Sequence, residues 1–264
     1  MTNEEKLDGF PTVHYPSLLE CRDRQLFMTQ QFKKYGLTKT KLFLTDRYNV
    51  IKDQYELRGE SSLHYVQPGN IVSYITLIKE WYDTSEEEYA IFCDDDMEFF
   101  SVDYWRFTWK EFVSALPSDW ECIHLIRIEE WKPGSNIING VQVVPSLDVI
   151  PRKWDHWGTA VLITKEYAKK ILDRHYIDDR VINYDVPNPG NSGYVWSCIE
   201  NVLLAGLGTV YSFPIFIECT NFSSFGYSED KDFIEWNKYR YYHIKSSVTY
   251  RDLWASNAKQ LGSK

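Results

Sequence analysis

The sequence predicts an α/β fold: a mixed, mostly parallel sheet flanked by helices, in a single domain with a C-terminal extension. Three observations lead there. Strand-like and helix-like patterns alternate through the first two-thirds of the chain, as in proteins that lay helices over a central sheet. One apolar run, Tyr89-Ala90-Ile91-Phe92-Cys93, lies between blocks of acidic residues and reads as a strand covered on both faces. No linker or internal repeat divides the 264 residues, of which 44% are hydrophobic and 16% aromatic, enough to bury a sizeable core. We place the main domain over 1–222 and the extension, packed on or near the site, over 223–264.

Cys21, Met28, Phe32 and Tyr35 follow helical spacing, and Gly36 is a natural stop. Lys41-Leu42-Phe43-Leu44-Thr45 reads as a short buried strand ending at Asp46. The next helix begins near Asn70, with Ile71, Ile75, Ile78 and Tyr82 on one face. Glu86-Glu87-Glu88 is a solvated turn before the 89–93 strand. Trp105, Trp109, Phe112 and Leu116 mark a helix that Pro117 ends. A strand follows over 120–128.

Residues 129–151 are rich in Gly, Pro, Asn and Ser and read as an insertion near the site, with a hairpin around Asn139-Gly140. A strand over 157–164 and a helix over 165–173 come next. The 185–193 loop leads into a helix carrying Val195, Ile199 and Val202, and 209–218 is the last clear strand. The tail after Phe222 is polar and aromatic.

Charge and composition exclude several classes. With 29 basic and 38 acidic residues the formal charge is −9, so the basic footprint of a nucleic-acid binder is missing. No apolar run approaches the ~20 residues of a membrane span. The opening Met1-Thr2-Asn3-Glu4-Glu5-Lys6 is polar and acidic, unlike a signal peptide. The five cysteines are scattered without a Cys-x-x-Cys pair, which speaks against structural zinc and for reduced thiols. A soluble, cytoplasmic protein is the expectation. Ten Trp and nineteen Tyr supply flat, amphipathic rings suited to sugars as well as to a core.

The chemistry should lie at Asp94-Asp95-Asp96. In open α/β sheets ligands bind at the carboxyl ends of strands, and this triplet ends the buried one. Adjacent like charges raise one another's pKa unless a cation or hydrogen-bond donors compensate. A hard divalent ion would do so and would bridge to phosphate. The plainer alternative is an acidic turn that caps the next element. If the strand stays extended, Asp94 and Asp96 face one way and Asp95 the other.

The segment from Tyr89 through Asp94-Asp95-Asp96 to Met97 resembles the aspartate-x-aspartate element of GT-A glycosyltransferases, and more narrowly that of glycosyltransferase family 25. That family comprises the lipooligosaccharide and procollagen galactosyltransferases, whose strand ends in Glu-Asp-Asp. Arg22-Asp23-Arg24 with Gln30-Gln31-Phe32 and Gly36 is similar to the family's opening helix. Gly69-Asn70-Ile71-Val72-Ser73-Tyr74 resembles its Gly-x-x-x-Ser-His helix start, with Tyr74 in place of His. Leu116-Pro117-Ser118-Asp119-Trp120, and Gly158-Thr159-Ala160-Val161-Leu162-Ile163 with Ala168, resemble later segments. The likeness spans about residues 13 to 220; Asp94 replaces the family's Glu, and 129–151 has no counterpart.

The resemblance implies a GT-A fold, a Rossmann-like mixed sheet, and transfer of a hexose from a UDP-linked donor to a glycan or other hydroxyl with inversion. It implies Mn²⁺ or Mg²⁺ as cofactor. Asp96 would then be a direct metal ligand, Asp94 would touch the ribose or complete the metal shell, and Asp95 would position the donor sugar. Glu200 matches the family's acceptor base; the alternative is the polar face of a helix, and Asp185 is a rival. His243 would complete the metal shell, and His156 would line the acceptor side. Tyr15, Arg24 and Asp46 fall by order where base and ribose bind, as does Ser73 in the matched helix start. Arg24 could instead lie on an exposed helix face and Asp46 could be an N-cap. A metal-dependent nucleotidyltransferase or phosphohydrolase, and a catalytically silent carbohydrate-binding domain, are the competing readings.

Overall fold

The computed structural model describes residues 1–58, 68–126, 142–145, 160–183, 199, 203, 207–213, 215–219 and 255. In chain order the elements are α1 (Asn3–Lys6), β1 (Val13–Leu18), α2 (Arg22–Tyr35), β2 (Thr40–Thr45), α3 (Tyr48–Ile51), β3 (Glu56–Arg58) and α4 (Pro68–Thr84). Then come β4 (Tyr89–Cys93), β5 (Met97–Glu98), a 3₁₀ turn (Phe100–Tyr104), α5 (Trp109–Ala115), β6 (Cys122–His124), β7 (Gln142–Pro145) and β8 (Ala160–Thr164). The last are α6 (Lys165–His175), β9 (Tyr176–Asp178), β10 (Val181–Asn183), β11 (Thr209–Ser212) and β12 (Ile217–Glu218).

Seven strands form the central sheet in the order β2-β1-β4-β8-β6-β11-β7. β1 is parallel to β2 and β4, and β11 is parallel to β6. β8 runs against β4 and β6, and β7 against β11. The sheet is therefore mixed, with five strands pointing one way and β8 and β7 the other, as the α/β reading expects. A small sheet, β3-β10-β9, sits apart from it.

Residues of β4 alternate between two cores. Ile91 and Cys93 join Tyr15, Met28 and Phe32 on the α2 side, whereas Ala90 and Phe92 join Tyr74, Ile75 and Trp81 on the α4 side. Burial on both faces explains why this strand reads as one apolar run. α2 ends where Gly36 adopts φ 71°, a left-handed turn that a residue without Cβ makes at little cost. α5 starts at a capping box, with Thr108 and Glu111 each accepting the other's backbone N–H.

Three elements differ from the sequence reading. The 105–116 helix is shorter, because Trp105 is extended and closes the 3₁₀ turn before Thr108 starts α5 anew. Of the expected 120–128 strand, β6 covers Cys122–His124, Trp120, Glu121, Leu125 and Ile126 fall outside it, and 127–128 lie outside the described residues. The 209–218 strand is two: Ile215 N–H turns back to the Phe213 carbonyl at 2.8 Å, redirecting the chain. β12 then leaves the main sheet and pairs with β5, directly after the aspartate triplet. The hairpin turn expected at Asn139-Gly140 lies outside the described residues, as does 223–264 apart from Ala255, whereas Gln142–Pro145 of the 129–151 segment forms β7 of the main sheet. Ile199 and Leu203 are helical and buried, as expected for the helix near 195–202. Among the described residues no helix is long and apolar enough to cross a membrane.

Candidate functional site

β4 ends at Cys93, and the chain turns immediately: Met97 N–H reaches the Asp94 carbonyl at 3.4 Å, and β5 begins. The triplet is thus a turn at the carboxyl edge of the parallel strands. Neighbouring β1 ends on the same edge, and only Leu19, Glu20 and Cys21 separate it from α2. This short connection sets the first turn of α2, and with it Arg24, over the end of β4.

Arg24 Nη1 donates to Asp95 Oδ1 at 2.8 Å and to Asp96 Oδ2 at 2.7 Å. Ser17 Oγ donates to the other Asp95 oxygen, Oδ2, at 2.6 Å. Arg24, Asp95 and Asp96 are 7%, 7% and 6% exposed, so these charges meet away from bulk water, where pairing matters most. Asp94 takes a donor from another element: its Oδ1 accepts from the Tyr74 phenol of α4 at 2.8 Å.

The turn is also held through its backbone. Cys219 N–H of the β12 segment donates to the Asp96 carbonyl at 2.7 Å. The Gln31 side chain spans Met97 and Phe99, donating to one carbonyl at 3.0 Å and accepting from the other's N–H at 3.2 Å.

Burial pushes the Asp96 carboxyl up to about 7, against the pull of Arg24. For Arg24, burial opposes the charge, but Asp96 and Asp95 outweigh it and raise its pKa, so the guanidinium stays protonated. Burial, with Cys93 and Asp95 close by, pushes the Tyr15 phenol up to about 12.

The expected alternation does not hold. Asp95 and Asp96 share one guanidinium and so do not face opposite ways, because the strand stops at Cys93 and the triplet is a turn rather than extended backbone. Of the residues read as nucleotide contacts, Arg24 is buried on the triplet and not on an exposed helix face. Tyr15 is buried in the α2-side core, its ring 5.5 Å from that of Phe32. Ser73 is fully buried, and its hydroxyl donates to the Gly69 carbonyl at 2.6 Å. Asp46 follows β2 and is not an N-cap; Arg47 holds that position on α3. Glu200, Asp185, His156 and His243 lie outside the described residues.

Sequence reasoning passed over three polar side chains near this edge. Ser17, on the Tyr15 side of β1, is a hydroxyl at an otherwise apolar strand end, which was a visible signal. Tyr74 was visible only as a departure from a motif. His124, 2% exposed, ends β6 on the same edge, since β4 and β6 both run against β8.

Three carboxylates supply the hard oxygen donors that Mg²⁺ or Mn²⁺ prefers. Their arrangement does not suit an ion, however. Asp95 and Asp96 close on Arg24, Asp94 turns to Tyr74, and among the described residues no group of three or more His, Cys, Asp or Glu is placed to hold a metal. Neither a scan against protein-family models nor a search of curated proteins finds a match for the chain. Fold and site together define an α/β protein with a carboxylate turn, partly neutralised by a buried arginine, at the carboxyl edge of its parallel strands.

Proposed function

We propose that this chain is a glycosyltransferase that moves a hexose from a nucleotide-sugar donor, UDP-linked, to a hydroxyl of a saccharide or glycan, with inversion. The observation that carries the reading is the position of Asp94-Asp95-Asp96: a turn closing a central strand, at the edge where open α/β sheets bind ligands. The resemblance of the segments on either side of it to family 25 adds support, as does the mixed, mostly parallel sheet.

On this reading the carboxylates accept hydrogen bonds from donor hydroxyls, and Asp95 orients the hexose. Ser17, Arg24 and Tyr74 hold the carboxylates in place before the donor arrives, so little reorganisation is needed on binding. Inversion requires one in-line displacement, with a base taking the acceptor proton; Glu200 is our candidate. A divalent ion, when bound, would stabilise the charge of the departing diphosphate. As arranged, the described carboxylates do not fit one.

The test is turnover. Purified protein is incubated with UDP-, GDP- and CMP-sugars and a panel of glycan acceptors, and nucleotide release is followed. Release of UDP or GDP, or of CMP from a CMP-sugar, that depends on acceptor supports the transferase reading, and release from the UDP-sugar supports the donor assigned here. Pyrophosphate release from nucleoside triphosphates, without sugar transfer, would instead favour a nucleotidyltransferase.

A further inference from the structure

We infer that Arg24 is the triplet's resident cation: its guanidinium occupies the place in which a divalent ion would bridge Asp95 and Asp96, and it keeps such ions out. One nitrogen, Nη1, lies 2.8 Å from Asp95 Oδ1 and 2.7 Å from Asp96 Oδ2. A bound Mg²⁺ or Mn²⁺ would sit roughly 2.0–2.2 Å from the same oxygens. Ion and nitrogen cannot share that space, so metal binding requires Arg24 to leave.

The other contacts point the same way. Asp95 Oδ2 is taken by Ser17 Oγ at 2.6 Å, and Asp94 Oδ1 by the Tyr74 phenol at 2.8 Å. Four of the six carboxylate oxygens of the triplet therefore have named donors from the chain, on three different elements. Asp94 takes its donor from the α4 side of the sheet and Asp95 and Asp96 take theirs from the α2 side, and among the described residues no group of three or more His, Cys, Asp or Glu is placed to hold an ion.

Arginine suits this task better than lysine. Its planar fork carries five N–H donors, and its charge persists at all pH values of interest. The carboxylates then act as acceptors for ligand hydroxyls rather than as metal ligands, a consequence that rests on the glycosyltransferase reading. The exclusion of the ion rests on geometry alone.

The experiment titrates Mn²⁺ alone into the full chain and follows free Mn²⁺ by electron paramagnetic resonance. Wild type and Arg24→Lys should leave Mn²⁺ free, whereas Arg24→Gln, which vacates the bridge and keeps the carboxylates, should bind it at least tenfold more tightly. A wild-type site that holds Mn²⁺ and loses it on Asp96→Asn overturns the inference, as does a folded Arg24→Gln that gains nothing. If circular dichroism shows that Arg24→Gln does not fold, wild type against Asp96→Asn decides: equal free Mn²⁺ supports the inference, and a difference overturns it. Because no nucleotide sugar is present, a gain of Mn²⁺ in Arg24→Gln stands even if the chain binds no sugar donor.

Discussion

The phenol of Tyr74 donates to Asp94 Oδ1 at 2.8 Å, joining the first turns of α4 to the end of β4. The Tyr74 ring is fully buried, while Asp94 is half-buried. A hydrogen bond to a charged acceptor contributes roughly 1.5–3 kcal/mol, less when the acceptor is hydrated. Tyr74→Phe keeps the ring and removes the bond. It should lower stability by about 1 kcal/mol in urea denaturation with an unchanged slope. A variant as stable as wild type would show that this bond carries nothing.

Removing one partner of a buried ion pair costs about 3–5 kcal/mol, because the other is left charged and dry. Arg24→Gln strands both Asp95 and Asp96 and should fall in that range. Arg24→Gln with Asp95→Asn and Asp96→Asn should recover most of the loss. Denaturation of the single, double and triple variants checks this; losses that simply add would mean the three side chains are not coupled.

His14, on β1, lies flat against Phe92 with ring centroids 4.9 Å apart, and neither ring nitrogen has a hydrogen-bond partner. Burial lowers its pKa from 6.5 to about 4, with Glu87 and Glu80 pulling upward and Lys41 and Lys165 pushing down. The folded state thus prefers neutral imidazole. Its contribution is complete above pH 6.5 and is lost as pH falls toward 4, on the order of 3 kcal/mol at about 1.4 kcal/mol per pH unit. His14→Phe should flatten stability over that window, as measured by denaturation at stepped pH. The same slope in both proteins would place the titration elsewhere.

Lys165, first residue of α6, caps a different helix. Its Nζ donates to the Trp81 and Tyr82 carbonyls at the end of α4, at 2.9 and 2.8 Å, and sits 4.3 Å from the Trp81 ring centre. A cation there meets carbonyls of the last helical turn, the helix dipole and an aromatic face at once. Lys165→Met keeps most of the stem and should lower stability by about 1–2 kcal/mol. A thermal midpoint within a degree of wild type would contradict this.

Much of the fold was legible because its signals are local. The apolar run of β4, the Gly36 stop and the spacing of α2 each follow from a few neighbouring residues. The break between β11 and β12 was not legible, since it depends on Ile215 turning back and on Phe216 N–H reaching the Leu125 carbonyl of a distant segment at 3.1 Å. The triplet's place at the sheet edge was legible as well. Its internal geometry was not, because Arg24 and Tyr74 approach from opposite faces, 71 residues before Asp95 and 20 before Asp94. Sequence spacing carries no mark of such pairs; in particular it left Arg24 among nucleotide contacts rather than on the carboxylates.

If the protein is the glycosyltransferase proposed above, its Asp94-Asp95-Asp96 turn binds a nucleotide sugar. Thermal shift in EDTA with a UDP-sugar series, on wild type and Asp94→Asn, tests it most directly. A ligand at 100 times its Kd stabilises by about 2.7 kcal/mol. Wild type should show a saturable rise in Tm that Asp94→Asn loses. No rise with any nucleotide sugar, or an equal rise in the variant, would contradict it.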